Sequence, residues 1–298
     1  MWRSMGRHLG RAILLAGALP AVGYAAPTAD NFHILYHESV TELRFNERSA
    51  GEFLALKAAE RPATTRASFS ALGMQFELEL DSNNRLIARL AAKSRDSILE
   101  QYSLLRGKLV GIDNSWVRLT ASGDTISGAI WDGSELYAIE PAGSVRRFAV
   151  QPVSAQSDTE PLIYRWSDTR LPPGMQFCGV DSTAVSLSGI DQYKGMVREL
   201  RQAFQAAAVP TSEINMGVVA DFEAFQFFGG TTQATTAMIT RMNTVDGIYS
   251  DQVGVQINIT ENIVFDQSND PFSGTNEPGT LLDELAFYKL DATSGLAD

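Results

Sequence analysis

Met74-Gln75-Phe76-Glu77-Leu78-Glu79-Leu80 alternates apolar and polar side chains without a break. Successive side chains of a strand point to opposite faces, so period two marks a strand with one face in a core and one toward solvent. Asp81-Ser82-Asn83-Asn84 follows with turn chemistry. Upstream, Ser68-Phe69-Ser70-Ala71-Leu72-Gly73 is strand-like from Ala67 on. Downstream, Leu104 to Ile112, Trp116 to Leu119 and Thr125 to Trp131 read as further strands, separated by Gly-Ile-Asp-Asn and Ser-Gly-Asp turns. Asp132-Gly133 is a hairpin signal before Glu135-Leu136-Tyr137-Ala138-Ile139-Glu140. Short strands joined by turns predict a sandwich or barrel-like domain to about residue 150. Residues 27–66 are less readable: Phe32 to His37 suits a strand and Gly51 to Ala59 a helix.

From 151 to 187 the composition changes to Pro152, Pro161, Pro172 and Pro173 among many Ser, Asp and Thr, which predicts an extended connector. Beyond it the period changes. Ile190, Tyr193, Val197, Leu200 and Phe204 recur at helical spacing, ended by Pro210. Ile214 to Asp221 reads as a buried strand, and a second helix carries Met238, Met242, Val245 and Tyr249 on one face. Val253 to Ile259 alternates as a strand, and Leu281 to Leu290 reads as a short third helix. Strand–helix–strand order predicts an α/β sheet with a crossover helix, so the fold class is α+β overall.

The first 26 residues have the form of an export signal: Arg3, Arg7 and Arg11, then the apolar core Ala12 to Leu19, then Pro20 and small residues before Ala25-Ala26. That core is shorter than a bilayer-spanning helix needs. The expectation is a secreted or periplasmic product with no membrane association after signal removal. Losing three arginines and no acids takes the net charge from −11 to −14. Such a balance gives phosphate backbones nothing to bind, so no nucleic-acid partner is expected. About 270 mature residues exceed most single cores, which predicts two domains.

The chain has one cysteine, Cys178, in the connector run Phe177-Cys178-Gly179-Val180-Asp181. In an exported protein a lone cysteine forms no intrachain disulfide and is either a bystander or a thiol kept for nucleophilic or soft-metal chemistry. The histidines are His8, His33 and His37, and no HExxH run occurs in the 298 residues. His33 and His37 are four apart, but their segment reads as a strand without a third ligand. Asp266, Ser268, Asp270 and Glu277 match oxygen positions of an EF-hand loop, yet Pro271 stands where glycine is required. Gly229-Gly230-Thr231-Thr232 reads as a loop entering a threonine-capped helix rather than a phosphate loop. No GxSxG turn is present.

Three pieces, in order, resemble the front of a reprolysin-type (adamalysin, ADAM-like) zinc metallopeptidase precursor of the metzincin clan. The stretch 107–141, ending Gly128-Ala129-Ile130-Trp131-Asp132-Gly133-Ser134-Glu135-Leu136-Tyr137-Ala138-Ile139-Glu140-Pro141, is similar to the family's β-rich propeptide. Phe177-Cys178-Gly179-Val180 resembles its cysteine-switch segment. Met216 to Asp221, Arg241 to Tyr249 and Ile257-Asn258-Ile259 resemble the first strand, long helix and next strand of its catalytic domain.

The resemblance implies a signal peptide (1–26), a β-rich propeptide-like domain (27–150), a connector with the switch segment (151–187) and the incomplete N-terminal part of an α/β metzincin-type catalytic domain (188–298). It implies a zymogen of a zinc metalloendopeptidase acting on proteins or peptides, activated by another protease. Cys178, flanked by Gly179, Val180 and Asp181, would be the inhibitory zinc ligand, and the catalytic HExxHxxGxxH helix would lie beyond these residues. The cofactor implied is Zn²⁺, and the expectation for residues 1–298 themselves is no zinc site, no catalytic residue and no peptidase activity. Asn215 stands where some relatives carry an acidic calcium ligand. The alternative reading is a non-catalytic secreted inhibitor or binding protein that uses Cys178 to cap another enzyme's zinc. A third is an exported β-sandwich that binds carbohydrate or protein through exposed Trp116 and Trp131.

Overall fold

The alternation at 74–80 belongs to one strand of a ten-stranded antiparallel sheet. The computed structural model describes residues 32–46, 48–49, 52–53, 56, 64–122, 125–170, 189–205, 212–274 and 278–290. Its strands are β1 (His33–Ile34), β2 (Glu38–Ser39), β3 (Thr41–Phe45), β4 (Arg48–Ser49), β5 (Thr64–Ala71), β6 (Met74–Ser82), β7 (Tyr102–Leu109), β8 (Trp116–Ser122), β9 (Thr125–Trp131), β10 (Leu136–Pro141), β11 (Pro161–Arg165), β12 (Thr169–Arg170), β13 (Ser212–Ala220) and β14 (Val255–Val264). The helices are α1 (Ala92–Gln101), α2 (Ala142–Val145), α3 (Gly189–Gln205), α4 (Phe222–Phe228), α5 (Thr231–Gly247) and α6 (Pro278–Leu290). The fold is α+β, and the large sheet is nearly closed.

Strand order in that sheet is β2-β11-β10-β9-β8-β7-β6-β5-β3-β4. β2 and β3 lie toward opposite ends of this order, yet Val40 alone separates them in sequence. The chain therefore sews the sheet's ends together. The β5–β6 turn reinforces the seam. Leu72 and Gly73 both have positive φ, the conformation of a tight two-residue hairpin. The Leu72 N–H donates to Glu38 of β2 (2.6 Å), and its carbonyl accepts from Arg165 of β11 (3.3 Å). Inside the sheet lie stacked Phe69 and Phe76 with Leu78, Leu80, Val117 and Ile130.

The strands at 74–80, 116–119 and 125–131 fall where the sequence puts them. Residues 161–165, read as connector, instead form β11 and pair with β10 over five residues. Pro161 is a loop signal but sits at the first position of the strand, where a missing donor is tolerated, and Leu162-Ile163-Tyr164 is buried. The helix expected over 51–59 lies largely outside the described residues. Trp116 and Trp131, offered as exposed binding aromatics, are both buried, because the outer face of the sheet is itself covered.

What covers it is a parallel pair, β13 and β14, joined by α5. The pairing runs from Ser212↔Val255 to Ala220↔Val264, with a bulge at Met216/Gly217. α5 lies between that pair and the outer face of β8, in one apolar cluster with Trp116, Tyr102 and Ile87 on the sheet side and Ile239, Val245 and Ile257 on the other. β8 is consequently buried on both faces. The cap before α5 is Gly230 with no side-chain bond, and Thr231 is already helical, which corrects the threonine-cap expectation. At the other end Gly247 has ordinary helical φ. Its requirement is space: a Cβ there would lie 2.7 Å from the Trp116 ring and 2.8 Å from Arg118.

Gly247→Ala should therefore overpack this contact and lower stability by about 1–3 kcal/mol. Urea denaturation followed by tryptophan fluorescence is the measurement, and an unchanged midpoint contradicts the close approach.

Candidate functional site

Where α5 meets the sheet, a carboxylate is sealed from solvent. Asn243 and Asp246 are three apart and so share one helix face, which is pressed onto β7 and β8. Asp246 has 0 % side-chain exposure and Arg118 of β8 has 3 %. The Asp246 carboxylate accepts from Arg85 Nη2 at 2.8 Å on both oxygens, from Arg118 Nε at 3.1 Å and from Asn83 Nδ2 at 3.1 Å. Asn83 Nδ2 also donates to Asn243 Oδ1 (2.8 Å), and Asn243 Nδ2 donates to the Leu119 carbonyl (2.9 Å). Arg85 reaches past Asp246 to the Ile257 carbonyl of β14 at 3.3 Å. Asn83 and Arg85 belong to the turn after β6 and the 3₁₀ helix Asn84–Ile87.

The second acid of the cluster depends on a change of helix type. After Gly247 the chain continues as a π-helix, Ile248–Val253. In an α-helix, residues five apart point about 140° away from each other at 3.6 residues per turn. The wider i→i+5 winding of a π turn brings such residues toward one face. Arg118 Nη2 thus meets both Ser250 Oγ and Asp251 Oδ2 at 2.7 Å, while its Nε stays on Asp246. Arg118 from the sheet and Arg85 from the 3₁₀ turn beside it balance two aspartates from the helix.

A second charged contact joins the same parts nearby. Glu140 of β10 accepts from Tyr164 OH (3.1 Å) and feels the Arg241 guanidinium of α5. Burial raises the Glu140 carboxyl above its ordinary 4.5, outweighing Arg241 and the Tyr164 hydrogen bond, which both lower it. Burial likewise lowers Arg241 and raises Tyr164, and it pushes Tyr249 up to about 12. Arg241 also covers the Phe228 ring and Arg147 the Phe227 ring, each at 4.9 Å, so two cations hold the end of α4.

Cys178, Gly179, Val180 and Asp181 lie outside the described residues. Among the described residues no three His, Cys, Asp or Glu side chains gather into a group that could hold a metal ion. His33 sits in β1 opposite Arg170, and His37 Nε2 is buried without a partner. The Asp270 carboxylate of the EF-hand-like loop is used by the backbone, accepting from Phe222 N (2.6 Å) and Phe272 N (3.0 Å). The described residues thus do not fit a zinc site. A shallow depression of about 350 Å³ opens at the sheet seam, lined by Glu38, Thr41, Ser70 and Gln75 among others. The Asp246 carboxylate and Arg118 are sealed from solvent, and their chemistry is to hold. No protein-family model matches the chain, and no curated protein matches it.

Sequence reasoning passed over this cluster. No local signal would have found it: Arg118 stands amid Trp116-Val117 and Leu119, and a charge in a strand ordinarily marks the solvent side.

Asp246→Ala leaves Arg118 Nε, Arg85 Nη2 and Asn83 Nδ2 without the acceptor they share and should cost about 3–5 kcal/mol in urea unfolding. For Glu140 the sign follows from its raised folded pKa. The contribution is fully present below 4.5 and is lost as pH rises through the folded value. Against Glu140→Gln, the wild type should therefore gain stability as pH falls from 7 toward 4.5, read from urea midpoints at stepped pH. A constant difference would show that its carboxyl is not desolvated.

Proposed function

We propose that these residues are the pro-domain and the leading catalytic segment of an exported zinc metalloendopeptidase zymogen of the reprolysin type. Peptide-bond hydrolysis in such an enzyme belongs to a zinc-binding helix whose HExxH sequence does not occur in the 298 residues. The observation that carries the reading is the seating of the β13–α5–β14 crossover on a preceding antiparallel sheet. A crossover of two parallel strands is a fragment of an α/β sheet, and parallel sheets need cover on both faces. The sheet of residues 38–165 supplies that cover for one side of α5, the task of a pro-domain. The leader-like N-terminus and the thiol in the connector between the two parts agree with this assignment, with Cys178 as the latch of the latent enzyme. In this reading the residues seen here bind, cover and position, and Zn²⁺ and the peptide substrate belong to the completed catalytic domain.

The test is the source DNA for about 300 bases past codon 298 (a search window of roughly one helix-bearing segment). HExxHxxGxxH in frame or one frameshift away is the expected result. A stop codon with no such motif nearby overturns the peptidase reading and leaves the inhibitor or binding protein. Purified 27–298 should not cleave casein with or without added zinc, and cleavage abolished by chelation would place a catalytic site within these residues.

A further inference from the structure

The contact between the sheet and α5 carries a consequence that does not depend on any peptidase. We propose that the sheet surface formed by Asn83, Arg85, Trp116 and Arg118 is a docking site for the Asn243–Gly247 end of α5, and that it holds the parts before Arg170 and after Gly189 together once the chain between them is cut.

Three observations lead there. The charges are divided: both arginines come from the part before Arg170 and both aspartates from the part after Gly189, so neither part alone can neutralise its own buried group. Separation would leave Arg118 and Asp246 without the hydrogen bonds that make their burial tolerable. The apolar contact is divided in the same way. Trp131 rests on Tyr193 of α3 (ring centroids 5.3 Å apart), and Trp116 on Gly247. Finally, the connector is pinned at both ends. Thr169 and Arg170 pair with β1, while Gly189 lies so close to Thr169 and Trp166 that a Cβ would sit 2.3 Å from Thr169 Oγ1. Two ends already held by packing need little from the peptide chain between them, and closing a loop contributes only slowly with its length.

Scission here is hydrolysis of one peptide bond, with water adding across it to give a new carboxylate and a new ammonium. Cutting and parting are then two events. A protease supplies the first, and the second needs something that pulls α5 off the arginines.

The experiment places a recognition sequence for a site-specific protease within 171–188 of the full chain, cuts it, and measures association of the two pieces by gel filtration and dilution. Co-elution at micromolar concentration, with separation in urea, is expected. In cut Asp246→Asn the pieces should dissociate about 100-fold more readily. Cut Arg89→Ala should behave as wild type, because the Arg89–Glu213 pair is exposed. If Asp246→Asn does not fold before cutting, Arg85→Lys, which keeps the charge but cannot hold Asp246 and the Ile257 carbonyl with two separate nitrogens, gives the same reading with a smaller loss. Pieces of the wild type that separate in native buffer overturn the proposal, as does a cut Asp246→Asn protein that stays together as firmly as wild type. Neither result bears on whether a zinc motif follows codon 298.

Discussion

Asp246 places a carboxylate where water does not reach, and the architecture around it is the means of making that possible. Arg85 approaches from the turn after β6, Arg118 from the outer face of β8, and Asn83, whose amide also donates to Asn243, adds a further bond to the carboxylate. A buried ion pair adds little net stability against a well-packed apolar substitute, yet losing one partner is costly. Its value is therefore in specificity. α5 can lie on the sheet in one rotation and at one height, because any slip takes Asp246 off the arginines. The Gly247–Trp116 contact fixes the separation and the π turn fixes the direction of Asp251.

That constraint gives the sheet two different interiors. The inward face of β8, with Val117, Leu119 and Ala121, faces the aromatic core of the nearly closed sheet. The outward face, with Trp116, Arg118 and Thr120, faces α5. The seam at Val40 and the grip of Glu38 and Arg165 on Leu72 keep the sheet curved, and a curved sheet offers one restricted surface for a helix to rest on. Parallel β13 and β14 then sit beyond α5, tied back by the bond from Arg85 to Ile257.

Residue patterns carried the strands well where one face was apolar and one wet, as at 74–80, or where a turn dipeptide marked the end, as at Asp132-Gly133. There Asp132 accepts from Ser134 N, Glu135 N and Tyr137 OH. Burial alone would raise the Asp132 carboxyl, but these bonds together hold it below its ordinary range. Patterns failed where context overrode them. α1 is polar except for Ile98, which is buried, and Leu99, so it presents no stripe to read. α4, Phe222-Glu223-Ala224-Phe225-Gln226-Phe227-Phe228, is aromatic on every side and is set by the Asp221 cap on Ala224 N. Arg118 was the deepest failure. In an alternating strand a polar residue signals solvent, and nothing local to 116–122 says that a helix more than a hundred residues later will cover it. The candidate site was illegible for that reason: its members come from three distant segments and form no motif in any one of them.

The distance along the chain between the two halves of the cluster also sets a delay. Arg118 and Asp246 are 128 residues apart. At about 5–20 residues per second of synthesis, the sheet waits roughly 6–26 s for the helix that completes it. Through that interval the newborn sheet shows Trp116 beside two arginines with no acid to meet them. The face that α5 covers in the finished molecule is, while the chain is being made, open and adhesive.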